Sequence, residues 1–360
     1  MDEYIKRIRA AAANGTALRI RGGGTKDFYG EPATGELLDT RGLAGIHAYE
    51  PSELVVTVGA GTLLRELQEH LAQQRQYLPF DPPHFGEGGT VGGMLAAGLS
   101  GPARASVGCV RDYVLGATLI NGKGEHLHFG GQVMKNVAGY DISRVLAGSL
   151  GQLGLITAAS LKVLPVPPAD LTLRYACSEA EALQRLHAWG GQPLPLNASR
   201  WSDAQGGTLY VRLCGARAAV EAAQARMGGE ALDAGKAQEG WAACRDHTLA
   251  DFQPQAGEGL WRISVPQTAA VLAVPGAGPT IEWHGGLRWY RAPLDAAHAL
   301  RSAARAVGGH ATLFRVGAGA AAVPARFDAV ADATSAIHRA LRKAFDPAGI
   351  FNPGRMYAGL

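Results

Sequence analysis

Cysteine is scarce in this chain: four among 360 residues, Cys109, Cys177, Cys214 and Cys244, with no two in a C-x-x-C pair. Such spacing offers neither an iron–sulfur cluster nor a structural zinc site and reads as ordinary thiols in a reducing cytoplasm. Long apolar runs are missing too. No uninterrupted stretch approaches the roughly 18 residues that a membrane-spanning helix needs. The start, MDEYIKRIRAAAANG, is charged from its second residue and reads as a short amphipathic helix, not a secretory signal. An excess of one charge is nearly absent, with 34 basic residues against 31 acidic and a net charge of +3. With no basic run interleaved with aromatics, nothing supports binding to nucleic acid.

Several site signatures are absent as well. The nearest approach to G-x-G-x-x-G is Gly317-Ala318-Gly319 with Ala322. It lies too close to the C-terminus to leave room for the rest of a dinucleotide fold. Around Lys123, NGKGE lacks both the upstream glycine and the Ser/Thr of a P-loop. Gly148-Ser149-Leu150-Gly151 is not a G-x-S-x-G elbow. His126-Leu127-His128 has metal-ligand spacing but falls on the return strand of a hairpin, where two solvated histidines are expected. His84, between Pro83 and Phe85, fits a cofactor-lining role and a structural one equally well.

What is present is bulk and glycine. A length of 360 residues suggests about two domains. With 47% hydrophobic and 18% charged residues the chain is that of a soluble, folded protein. Its 49 glycines are not periodic; they gather in loops between apolar runs, as if backbone were wrapped around a large cofactor. Residues 2–13 read as a helix stopped at Asn14-Gly15, and ALRIR as a strand running into the first glycine loop. Thr62 reads as the N-cap of a helix with Leu63, Leu64, Leu67 and Leu71 on one face. RDYVLGATLINGKGEHLHFGG reads as a hairpin turning at Asn121-Gly122, which points His126 and His128 outward and Leu127 and Phe129 inward. KNVAGYDISRV gives a loop and a short helix. Pro165, Pro167 and Pro168 mark a domain boundary. Beyond it, strand-like runs alternate with alanine-rich helices, ATLFRVGAG is a further strand, residues 324–345 form a late helix, and FDPAGIFNPGRMYAGL is an irregular tail.

Three glycine-rich stretches fall in the first half: RGGGTK, GGTVGGMLAAGLSG and GSLGQLGLIT. Backbone N–H groups in the first suit a phosphate. Each is a weak signal alone; in this order they resemble the FAD-binding domain of the vanillyl-alcohol oxidase and p-cresol methylhydroxylase type flavoproteins. Within that family the chain is similar to the E subunits of bacterial glycolate oxidase, through LRIRGGGTK, LPFDPPHFGEGGTVGGMLAAGLSGP, GCVRDYVLG, KNVAGYDISRVLAGSLGQLGLIT, LKVLP and FDPAGIFNPGRMY.

The resemblance implies an α+β fold. It comprises a two-lobed FAD-binding domain (1–168), a smaller α/β cap domain (169–310) and a C-terminal helix and tail (311–360) packing back on the flavin domain. It implies FAD with its pyrophosphate on the N–H groups of Gly22, Gly23, Gly24 and Thr25, with Arg21 and Lys26 also binding the cofactor. Thr90, Gly92, Gly93 and Gly98 would lie near the ribityl chain, with Asp81 and Pro82 beside them, and Gly151, Gly154 and Ile156 would hold the adenine side. Some relatives attach flavin covalently through a histidine near the first loop; Gly24-Thr25 stands there, so the FAD is expected to be non-covalent.

The implied activity is oxidation of a 2-hydroxy acid, glycolate to glyoxylate, within a complex containing a catalytic flavoprotein D subunit and an iron–sulfur F subunit. The implied setting is cytoplasmic, or peripheral at the inner membrane through that complex. Catalytic relatives carry a Gly-Asp-Gly-Asn-x-His stretch that grips the acid. Residues 169–360 lack it; the nearest segment is Trp283-His284-Gly285-Gly286, and Arg262, Arg288 and Arg291 read as solvated surface. No catalytic residue and no metal is therefore assigned. Three roles stay open: a flavin centre that relays electrons, a structural subunit that keeps the flavoprotein fold, and a self-sufficient 2-hydroxyacid dehydrogenase.

Overall fold

The structure, a computed structural model, describes residues 1–131, 141–320 and 322–359. The loop expected within KNVAGY therefore lies outside the described residues. Two compact units form. The first is assembled from residues 1–99, 109–165 and 329–360, and the second from residues 100–108 and 166–328.

In the first unit, α1 (Asp2–Asn14) ends at Gly15 and buries Ile8 and Ala11. β1 (Leu18–Arg21) pairs in parallel with β2 (Glu36–Asp39). The C-terminal tail joins this small lobe: Phe351 bridges Leu18 in parallel, and Leu18 donates to the Ile350 carbonyl at 2.7 Å. Ile8, Leu18, Leu38, Ile350 and Phe351 form its core.

The larger lobe is an antiparallel sheet of β3 (Ile46–Glu50), β4 (Val55–Gly59), β5 (Val114–Ile120), β6 (His126–Gly130) and β7 (Leu155–Lys162), in the order β3-β4-β7-β5-β6. Against it pack α2 (Leu64–Ala72) and α3 (Val91–Ala97). Leu64, Leu67 and Leu71 of α2 are fully buried, each worth about 1.5–3 kcal/mol of apolar burial.

Thr62 is not the cap of α2, whose N-cap is Leu63. The Thr62 hydroxyl instead accepts from the Gly45 N–H at 2.9 Å, tying the β3 approach to the helix entry. The β5–β6 hairpin forms, but its connection is longer than Asn121-Gly122 alone. The Asn121 side chain accepts from the N–H groups of Lys123 and Glu125, both at 3.0 Å, a side-chain-built turn. His126 and His128 are exposed and Leu127 and Phe129 half-buried, as the alternation requires.

The second unit is an eight-stranded antiparallel sheet. Its strands are β8 (Ala169–Ala176), β9 (Leu196–Ser202), β10 (Thr208–Gly215), β11 (Glu258–Ser264), β12 (Ala277–Glu282), β13 (Leu287–Pro293) and β14 (His310–Val316), with Glu230–Ala231 at one edge. The order from that edge is β8-β10-β9-β12-β13-β11-β14. Its helices include α4 (Glu179–Gly190), α5 (Arg217–Met227), α6 (Ala234–Arg245) and α7 (Ala297–Ala306). Because β14 pairs with β11 along its length, residues 311–328 belong to this sheet unit and not to the returning tail. The chain re-enters the first unit at Ala329, and the late helix α8 begins only at Asp332 (Asp332–Phe345). Arg288, expected on the surface, is fully buried: its guanidinium donates to the carbonyls of Ala269 and Ala270, both at 2.5 Å.

Candidate functional site

β1 carries Leu18 and Ile20 on one face and Arg19 and Arg21 on the other, as a period of two dictates. At its end the chain turns through Gly22–Gly24 into a cleft of about 330 Å³. Gly24 has a left-handed backbone, φ 76°, which a side chain would strain. Gly23 faces a tighter limit, since a Cβ there would lie 1.4 Å from the carbonyl oxygen of Gly88. A Cβ on Gly22 would lie 2.3 Å from Thr90 Oγ1. The first glycines are thus demanded by the approach of two protein loops, residues 22–24 and 88–90, before any ligand is considered.

Thr90 caps α3, its hydroxyl accepting from the Gly93 N–H at 3.2 Å. The cleft between the glycine loop and α3 is also lined by Arg19, Thr25, Lys26, Asp27, Leu150, Asn352 and Arg355. Four cations therefore face one carboxylate. Arg21 pairs with that carboxylate, Asp27, at 2.6 Å, on the exposed side. Arg19 Nε is buried without a hydrogen-bond partner among the described residues. A buried, unpartnered guanidinium nitrogen is costly unless an anion meets it. This orphaned donor, together with the glycine turn, fits a diphosphate. Among the described residues no histidine, cysteine or tyrosine lines the cleft.

Two tail residues fix the cleft. Asn352 accepts from the Ile20 N–H at 2.9 Å and donates to the Leu150 carbonyl at 2.7 Å, so one amide joins β1 to the third glycine stretch. Arg355 is nearly buried and donates to the carbonyls of Asp27, at 3.0 Å, and Glu31, bracing the loop that follows the glycines.

Of the residues expected at the site, Arg21, Gly22, Gly23, Gly24, Thr25, Lys26, Thr90 and Gly93 come together here. The others lie outside this lining. Gly92 packs on Ala60 and Gly98 on Gly148. Gly151 faces the Asn352 amide and Gly154 the Ile120 carbonyl. Ile156 is core in β7, Pro82 is buried and Asp81 half-buried. Arg19, Asn352 and Arg355 were not anticipated as site residues. The alternation in LRIR pointed to Arg19, whereas the tail's contribution depends on a return across the whole chain that no local pattern encodes.

Comparison with known proteins agrees with this geometry. The family described as "FAD binding domain" matches residues 1–130, and that described as "FAD linked oxidases, C-terminal domain" matches residues 317–356. Glycolate oxidase subunit GlcE of Escherichia coli (strain K12) is 42% identical over 356 residues, covering 99% of this chain and 97% of that protein. Glycolate oxidase subunit GlcD of Bacillus subtilis (strain 168) is 29% identical over 174 residues, 48% of this chain and 37% of that one. A solved structure of alkyldihydroxyacetonephosphate synthase shares the fold, with a TM-score of 0.68 at 16% identity over 98% of this chain and 75% of that one. Among the described residues no helix is long and apolar enough to cross a membrane. The chain belongs to the FAD-binding flavoproteins, in the family of glycolate oxidase subunit GlcE.

Proposed function

We propose that this chain is the FAD-binding E subunit of a multi-subunit glycolate oxidase that converts glycolate to glyoxylate. It would work beside a catalytic flavoprotein D subunit and an iron–sulfur F subunit, in the cytoplasm or at the inner membrane through that complex. The observation that carries the reading is near full-length similarity to a GlcE subunit, joined to a glycine-turned, cationic cleft with an orphaned guanidinium nitrogen.

In this reading the N–H groups of Gly22–Thr25 and the Arg19 side chain hold the FAD diphosphate. Thr90 and Gly93 shape the opposite wall, and Arg355 keeps the loop from relaxing away. Gly98, Gly151 and Gly154 act indirectly, by letting the neighbouring loops approach. FAD bound there would accept the two electrons removed when glycolate becomes glyoxylate. Among the described residues no histidine, cysteine or tyrosine lines the cleft, which supports FAD held without a covalent bond. Iron–sulfur chemistry falls to a partner, because the four cysteines are dispersed and no group of three or more metal-binding side chains occurs among the described residues.

The test is acid precipitation of the purified, flavin-loaded chain. All flavin is expected in the supernatant; yellow protein in the pellet would overturn non-covalent binding. Glycolate turnover with a dye acceptor should then require the D subunit. Equal turnover by this chain alone would replace the subunit reading with a self-sufficient dehydrogenase.

A further inference from the structure

Trp283 and His284, at the end of β12, both have left-handed backbones, φ 54° and 56°, ahead of Gly285. For bulky residues this costs about 1–2 kcal/mol each and persists only where surrounding contacts impose it. Here those contacts are specific. Trp283 Nε1 donates to the Gly101 carbonyl at 3.0 Å. The His284 N–H donates to Ser199 Oγ at 2.9 Å, and the same hydroxyl lies 3.0 Å from His284 Nδ1.

Ser199 is fully buried. Its oxygen receives the backbone N–H, so its own hydrogen must go to Nδ1, or a buried donor would be left unmet. The hydrogen-bond network therefore assigns the ring hydrogen to Nε2, which donates to Ser106 Oγ at 2.9 Å. Burial holds the His284 pKa down to about 4, which keeps the ring neutral. Ser106 thus receives a hydrogen bond from the imidazole and is not activated as a nucleophile. It is exposed, and its own hydrogen is available to a ligand.

Arg104 lies two residues earlier in the same helical turn, Arg104–Val107. Its guanidinium lies over the Trp283 ring at 4.4 Å from the centroid. Arg262 lies over the same ring at 5.0 Å. Among the described residues the Arg104 side chain has no hydrogen-bond or ion-pair partner. Glu282, adjacent to Trp283 in sequence, is buried and engaged with Trp289 Nε1 at 2.8 Å. A stacked guanidinium keeps its in-plane fork of donors, the shape that a carboxylate matches.

We propose that Arg104 and Ser106, mounted on the Trp283–His284 corner, form a binding site for a small 2-hydroxy carboxylate. The Arg104 fork takes the carboxylate oxygens and the Ser106 hydroxyl donates a further hydrogen bond. The geometry calls for a small carboxylate; the choice of a 2-hydroxy acid, and of glycolate, rests on the functional reading above.

Isothermal titration of the full chain, without partner subunits, tests the site with glycolate, acetate and ethylene glycol. Glycolate and acetate should bind saturably and ethylene glycol should not. Arg104→Gln should weaken glycolate binding by about tenfold or more, the share of one charge-assisted pair. Arg104→Lys should keep part of it. Flavin content and melting temperature should stay at wild-type values in both variants. Glycolate quenching of tryptophan fluorescence should vanish in Trp283→Phe. Wild-type affinity in Arg104→Gln, or no saturable binding to the wild-type chain, overturns the proposal. Missing flavin would count against the functional reading and leave this titration interpretable.

Discussion

The cleft at Gly22–Gly24, left-handed at Gly24, and the corner at Trp283–His284, left-handed at both residues, shape their backbones by opposite means. In the first unit glycine removes the side chain, because carbonyl and hydroxyl groups of the facing loop already occupy its space. In the second, two large side chains are kept, and hydrogen bonds to Gly101, Ser199 and Ser106 impose the conformation. As proposed, one site would offer backbone N–H groups to a ligand and the other side chains. The first therefore tolerates almost no added atoms, whereas the second responds to charge and protonation.

The hardest blow to this contrast falls on the first unit. Gly23→Val should abolish FAD binding and cost about 3 kcal/mol or more, because the new carbons fall on the Gly88 carbonyl. Flavin absorbance after purification and a thermal melt report both. A flavin-loaded Gly23→Val protein would show that the loops separate easily.

A smaller effect tests the second unit's sensitivity to protonation. Burial raises Glu282 from 4.5 to about 7. Its contribution to stability is full below its unfolded value and is lost as pH rises through 7, by up to about 3 kcal/mol. His284 runs the other way: lowered from 6.5 to about 4, it stabilises above 6.5, and that contribution disappears as pH falls through 4. From about pH 5 to about pH 8 the gain from His284 opposes the loss from Glu282, so melts should show Glu282→Gln becoming more stable relative to wild type as pH rises. A wild-type-to-variant difference that does not change with pH would assign the dependence to other groups.

The smallest expected effect lies outside both sites. Replacing His126 and His128 together with glutamine should change stability by less than about 0.5 kcal/mol and leave flavin content unaltered, since both are exposed on β6. Loss of flavin would give the pair a role that their placement does not suggest.

Much of the first unit was legible because its signals are local. Asn14-Gly15 ends α1, the leucines of α2 fall on one face, and the run Gly22–Gly24 marks a turn that only glycine can make. Thr62 misled because its hydroxyl had a nonlocal option, Gly45, which outcompeted helix capping. Arg288 misled because a lone arginine in a strand looks solvated until two carbonyls from the loop at Ala269 enclose it. Asn352 and Arg355 were invisible as site residues for the same reason: their partners lie more than 300 residues away or were not yet placed in space.

That last separation bears on how the protein is made. Leu18 leaves the ribosome more than 300 residues before its neighbour Phe351. A nascent chain that has emerged as far as Pro165 already possesses the glycine loop and α3. It still lacks Asn352 to fasten β1 and Arg355 to brace the loop. Domains usually fold from the N-terminus during synthesis. Here the small lobe must wait for residues 350–355, so cofactor loading follows their synthesis, and loss of that segment removes the clasp that retains what was loaded.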